Sequence, residues 1–106
     1  MTISLNLLAK NIHEQALKNG FWHSPYNLAE KIALMHSELS EALEALRHGN
    51  PKDEHCPEFT SVEIELADCL IRILDMCWSQ DYDIKGAVKA KTAFNKTRPY
   101  KHGKDF

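Results

Sequence analysis

The sequence has no Val, Ile and Tyr alternation broken by hairpin turns, so nothing in it asks for a β-sheet. It has no stretch near the ~20 apolar residues that a membrane span needs, which argues against a membrane partner. Met1 to Lys10 lack the basic lead and apolar run of a signal peptide. The three cysteines, Cys56, Cys69 and Cys77, are an odd number without CxxC spacing. Free thiols of that kind point to a reducing cytoplasm. There is no Walker-type glycine-rich phosphate loop and no GxSxG elbow, so neither a P-loop nucleotide site nor a serine nucleophile is indicated.

What is present is helical. A length of 106 residues, 43% of them hydrophobic and 26% charged, fits one globular domain, residues 1–106. The pattern predicts a first helix from about Ser4 to Lys18, stopped by Gly20. Phe21-Trp22-His23-Ser24-Pro25 reads as a turn. The second helix is expected from about Asn27, its N-cap, to His48, with Gly49-Asn50-Pro51 as the stop. A polar loop, Pro51–Pro57, leads to a third helix over about Ser61–Ser79. A fourth is expected over about Ile84–Thr97. The fold class is therefore all-α, an antiparallel bundle of about four helices.

At ~100° per residue, Leu28, Ile32, Met35, Leu39, Ala42, Leu43 and Leu46 fall within roughly 60° of one line on the second helix. Leu34 and Ala45 lie in another sector, together with Glu38 and Glu41. The third helix is apolar around most of its circumference, and its polar residues Glu65, Asp68, Arg72, Asp75 and Ser79 gather in one sector. Such a helix must be buried, and a chain this short has little to cover it. The core is expected to be completed by oligomerisation, as a homodimer or homotetramer.

Charge is divided along the chain. Residues 1–83 carry six Lys or Arg against fourteen Asp or Glu, and residues 84–106 carry seven against one. The basic C-terminal segment 84–106 has three readings: attraction within the fold or oligomer, nucleic-acid binding, or a grip on phosphate.

Two acid pairs stand out, Glu38 with Glu41 and Glu65 with Asp68. Spacing i, i+3 puts both members of a pair on one helical face, where like charges repel. Two facing pairs make sense around a divalent cation, and carboxylate oxygens suit Mg²⁺, with Mn²⁺ as a substitute. A di-iron bundle would need Glu-x-x-His, which is absent. His48, His55 and Cys56 match no usual zinc spacing.

The second helix (Glu30–Arg47, EKIALMHSELSEALEALR), the segment Glu63–Asp75 (EIELADCLIRILD) and the tail Lys91–Lys104 (KTAFNKTRPYKHGK) together resemble the MazG-like all-alpha nucleoside triphosphate pyrophosphohydrolases. The resemblance runs from the GFW turn at Gly20 to Lys104. It implies Mg²⁺-dependent hydrolysis of a nucleoside triphosphate to monophosphate and pyrophosphate, as house-cleaning of the nucleotide pool. It implies metal ligands at Glu38, Glu41, Glu65 and Asp68, and phosphate contacts at Lys91 and Asn95. Many members carry a double acid where this chain has Ser37-Glu38, so the general base is left between Glu38 and Glu41. Arg98 shares the helical face of Lys91 and Asn95 and suits bidentate phosphate contact. Trp22 and, with less support, Tyr100 are candidate base-stacking residues. Arg72 and Asp75 are expected as partners behind the metal site or as an ion pair at the subunit contact. A nucleic-acid partner is not expected. The alternatives are a pyrophosphohydrolase for a phosphoribosylated nucleotide and a non-enzymatic dimeric helical interaction module.

Overall fold

A computed structural model describes residues 3–23 and 25–105. Ser24 of the expected turn, Met1 and Thr2 of the leader reading and Phe106 at the end of the expected domain lie outside the described residues. The described residues form four α-helices and no strand, so the all-α class holds.

Helix α1 spans Leu5–Lys18, capped by the Ser4 hydroxyl, which accepts from the Leu7 amide. Gly20, at φ +80°, ends it, and the Phe21 amide turns back to the Ala16 carbonyl at 3.1 Å. Only glycine takes that left-handed conformation without a Cβ penalty. Helix α2 spans Leu28–Arg47, with the Asn27 side chain accepting from the Ala29 and Glu30 amides. Gly49 and Asn50 stop it, both at positive φ. The Asn50 side chain then accepts from the Val62 amide at 2.9 Å, which fixes the loop against the start of the next helix. Helix α3 spans Ser61–Ser79 and opens on a capping box between Thr60 and Glu63. Helix α4 spans Ile84–Asn95. It ends two residues before the expected Thr97, in turns leading to a short 3₁₀ segment over Tyr100–Gly103.

Helices α1 and α2 flank α3, and both run antiparallel to it. The pairings set this direction: Glu38 meets Arg72 and Asn50 meets Val62, while His13 meets Asp75 and Asn6 meets Asp83. Helix α4 is tied to α1 only near its start, where Asn6 bonds the Asp83 carboxylate and the Lys85 amide. Beyond that hinge it packs little against its own chain, and none of its residues is buried. The radius of gyration is 16.2 Å, against ~13 Å for a compact globule of this length. Within one chain the expected four-helix bundle is therefore a three-helix layer with an outlying arm.

The core is thin: Ala9, Ala42, Cys69, Leu74 and Cys77 are its buried apolar residues. The strong stripe of α2 does not fill it. Ala42 is buried, but Ile32, Leu39, Leu43 and Leu46 are 44–59% exposed. The side of α2 that meets α3 carries Met35, Glu38 and Ala42, with Leu34 and Ala45 half-buried. Nor is α3 enclosed on all sides within the chain, since Leu66, Leu70, Ile71 and Trp78 are exposed. No helix among the described residues is long and apolar enough to cross a membrane.

Candidate metal centre

The antiparallel packing of α2 on α3 carries the acid pairs toward each other. Glu65 and Asp68 project from one face of α3, a turn apart, and Glu38 projects from α2 opposite them. Ligand oxygens of these three carboxylates lie within 4.8 Å of one another. Among the described residues this is the grouping of His, Cys, Asp or Glu atoms able to hold a metal ion. Glu38 is 7% exposed, a rare state for a carboxylate without a partner. Its partner is Arg72, whose Nε donates to Oε1 at 2.9 Å. Glu65 Oε2 is buried and has no hydrogen-bond partner.

The electrostatics follow from crowding. Burial pushes the Glu65 carboxyl up, and Glu41, Glu38 and Asp68 add to the effect, so that it titrates at about 7. Burial raises Asp68 as well, helped by the charge of Glu38 and opposed by Arg72. Burial also acts on Glu38, but the Arg72 guanidinium, with help from the neighbouring Glu41 and Glu65 carboxyls, holds it below the ordinary carboxylate value. Glu41 is exposed and stands beside the cluster, near enough to bear on both Glu38 and Glu65. Without a cation, this cluster is most easily held together by keeping a proton on Glu65.

Glu38 and Asp68 of the cluster line a cavity of about 670 Å³, together with Arg72, Asp75 and Trp22. Trp22 is fixed from several sides. Its indole N–H donates to Asp75 at 2.9 and 3.0 Å to the two carboxylate oxygens. His13 and Tyr26 meet its ring edge-on, with centroids 5.4 and 5.0 Å away. The Lys31 ammonium lies 4.2 Å from the ring centroid and donates to the Phe21 carbonyl. Trp22 thus belongs to the cavity wall with its polar edge already engaged.

The structure corrects two sequence readings here. Within the chain Asp75 and Arg72 do not pair with each other: Asp75 meets His13 and Trp22, His13 Nδ1 lying 2.7 Å from Oδ1, and Arg72 meets Glu38. Arg98 does not share a helical face with Lys91 and Asn95, because α4 ends at Asn95. Lys91 and Arg98 both lie over the Phe94 ring, at 4.7 and 5.7 Å. Among the described residues no α4 residue lines the cavity, and Tyr100 is 88% exposed. The chain therefore brings together Glu38, Glu65 and Asp68 with Glu41 beside them, and leaves Lys91, Asn95, Arg98 and Tyr100 out of the cavity lining. His13, Tyr26 and Lys31 were missed by sequence reasoning. Their only signal was aromatic and polar residues close to the Trp22 turn.

No protein-family model, curated protein or solved structure matches this chain.

Proposed function

We propose that this protein is a magnesium-dependent hydrolase that cleaves a nucleoside triphosphate to monophosphate and pyrophosphate. The observation that carries the reading is the buried, unpartnered Glu65 Oε2 in a three-carboxylate cluster whose Glu38 and Asp68 line a cavity. A buried acceptor of that kind costs free energy unless a cation or proton meets it. The donor set, all hard carboxylate oxygens, fits Mg²⁺ or Mn²⁺. Glu38, Glu65 and Asp68 would hold the ion, with Glu41 completing the set. When bound, the ion supplies positive charge for the phosphate oxygens and makes water more acidic. Glu41, exposed and free of Arg72, is the carboxylate with room to accept the proton from the attacking water. The cavity, walled by Trp22, takes the base, and the fixed indole orients it by its ring rather than by its N–H.

The decisive assay offers ordinary and modified ribo- and deoxynucleoside triphosphates, and a phosphoribosylated nucleotide, with Mg²⁺. Monophosphate and pyrophosphate should appear together in equal amounts. Release of orthophosphate instead, or no turnover on the whole panel, would remove the reading.

The same proposal includes a homodimer or homotetramer. The exposed stripe of α2 and the exposed residues Leu66, Leu70 and Trp78 of α3 support it, because apolar surface of that extent is unusual on a monomer. In this reading Lys91 and Asn95, remote from the carboxylates of their own chain, serve a neighbouring protomer's site. Two inactive variants, Lys91→Ala and Asp68→Asn, should then regain partial activity when co-expressed in one oligomer. A monomer by light scattering at micromolar concentration, or no recovery on mixing, would refute the arrangement.

A further inference from the structure

Arg72 is engaged on one edge only. Its Nε holds Glu38, and among the described residues no protein acceptor meets the rest of its guanidinium. Its side chain is 35% exposed and lines the cavity beside Asp68 and Glu38. A guanidinium has five donors in a planar fork, suited to bidentate contact with carboxylate and phosphate oxygens. Burying the Glu38 end of the pair while leaving the Nη groups at a cavity is wasteful for an ion pair that serves stability alone. Arg72 also stands where a cation is least welcome to a bound metal, one α3 turn beyond Asp68. An arginine there opposes metal binding and favours an anion.

We infer that Arg72 is a phosphate-contacting residue: its Nε is taken up by the buried Glu38, and its Nη groups bind an oxyanion of a polyphosphate entering the cavity. This rests on the metal-site reading above, and it names the chain's own counter-charge for the substrate there. The carboxylates of Glu38, Asp68 and Asp75 line the cavity and repel phosphate. A divalent ion offsets part of that repulsion, and Arg72 supplies a fixed cation on the cavity side. The contact is blind to the base, so it serves any triphosphate and shapes no base preference.

The two roles separate in a binding experiment. Mn²⁺ affinity is measured on the whole protein by calorimetry, and inorganic tripolyphosphate, which has no base, is then titrated into the Mn²⁺-loaded protein. Arg72→Met should leave Mn²⁺ affinity unchanged or tighter, because a like charge has been removed. Its tripolyphosphate affinity should fall roughly tenfold or more, as a lost charge-assisted hydrogen bond would cause. Arg72→Lys should recover part of the loss and lack the bidentate geometry. Tripolyphosphate affinity within about twofold of the unaltered protein, at unchanged Mn²⁺ affinity, overturns the inference and leaves the metal site standing. A parallel fall in both affinities also overturns it, since Arg72 would then act only by holding Glu38. An unaltered protein that binds no Mn²⁺ sinks the metal site and the inference together.

Discussion

Asp68→Asn is expected to abolish hydrolysis, lowering kcat/KM by roughly 10²-fold or more, the scale seen when one preorganised charge-stabilising group is removed. Asp68 lies within the three-carboxylate group, and burial and Glu38 already raise its pKa. The amide is nearly isosteric, so the fold has no reason to change. It removes one negative charge from a repelling cluster, so the metal-free variant should melt no lower than the unaltered protein, and higher if repulsion dominates. Glu41→Gln should lose activity in the same way, through the proton acceptor rather than through a buried ligand. Circular-dichroism melting beside a pyrophosphate-release assay reads both effects. Near wild-type turnover of Asp68→Asn at saturating Mg²⁺ would end the four-carboxylate account.

The second large effect is on stability, and it couples metal to pH. Glu65 titrates at about 7 in the folded chain against an ordinary value of 4.5. A carboxyl whose folded pKa is raised favours the fold while protonated, and that contribution is lost as pH rises through the folded value. Asp68 is raised too and acts in the same sense. Glu38, Glu63 and Asp83 are lowered and act oppositely, but only on the acid side, where they protonate. The metal-free protein should therefore melt at progressively lower temperature from about pH 5 to pH 8. Mn²⁺ competes with the Glu65 proton, so its affinity should rise over the same window. At a concentration near 100 times its Kd, a cation that binds only the folded state adds ~2.7 kcal/mol, or roughly 10 °C or more in Tm for a domain of this size. The expected rise in Tm is thus small at pH 5 and large at pH 8. A Tm that ignores Mn²⁺ at pH 8, or a metal-free Tm that climbs with pH across the window, would contradict the cluster.

These outcomes also show where sequence reasoning reaches its limit. The helices were legible because their signals are local. Ser4, Asn27 and Thr60 cap backbone amides within three residues, and Gly20 and Gly49 end helices through their own backbone freedom. The meeting of Glu38 with Glu65 and Asp68 was legible from the i, i+3 spacing, given that α2 and α3 lie antiparallel. Asp75 was not. On a helical wheel it sits beside Asp68 and Arg72, and nothing within a turn of it reveals His13 or Trp22, 62 and 53 residues away.

The sequence by itself determined the elements, the polar sector of α3 and the pairing of acids along each helix, because helical periodicity and capping depend only on near neighbours. Tertiary structure alone decided which face of α2 turns inward. Most of the apolar stripe stays open, through Ile32, Leu39, Leu43 and Leu46, while its edge at Met35 and Ala42 and the neighbouring sector holding Glu38 pack on α3. It also decided that Arg72 pairs with Glu38, that Asp75 anchors Trp22 and that α4 stands clear of the carboxylates. Each of these is a contact between segments distant in sequence, and no local pattern encodes its partner.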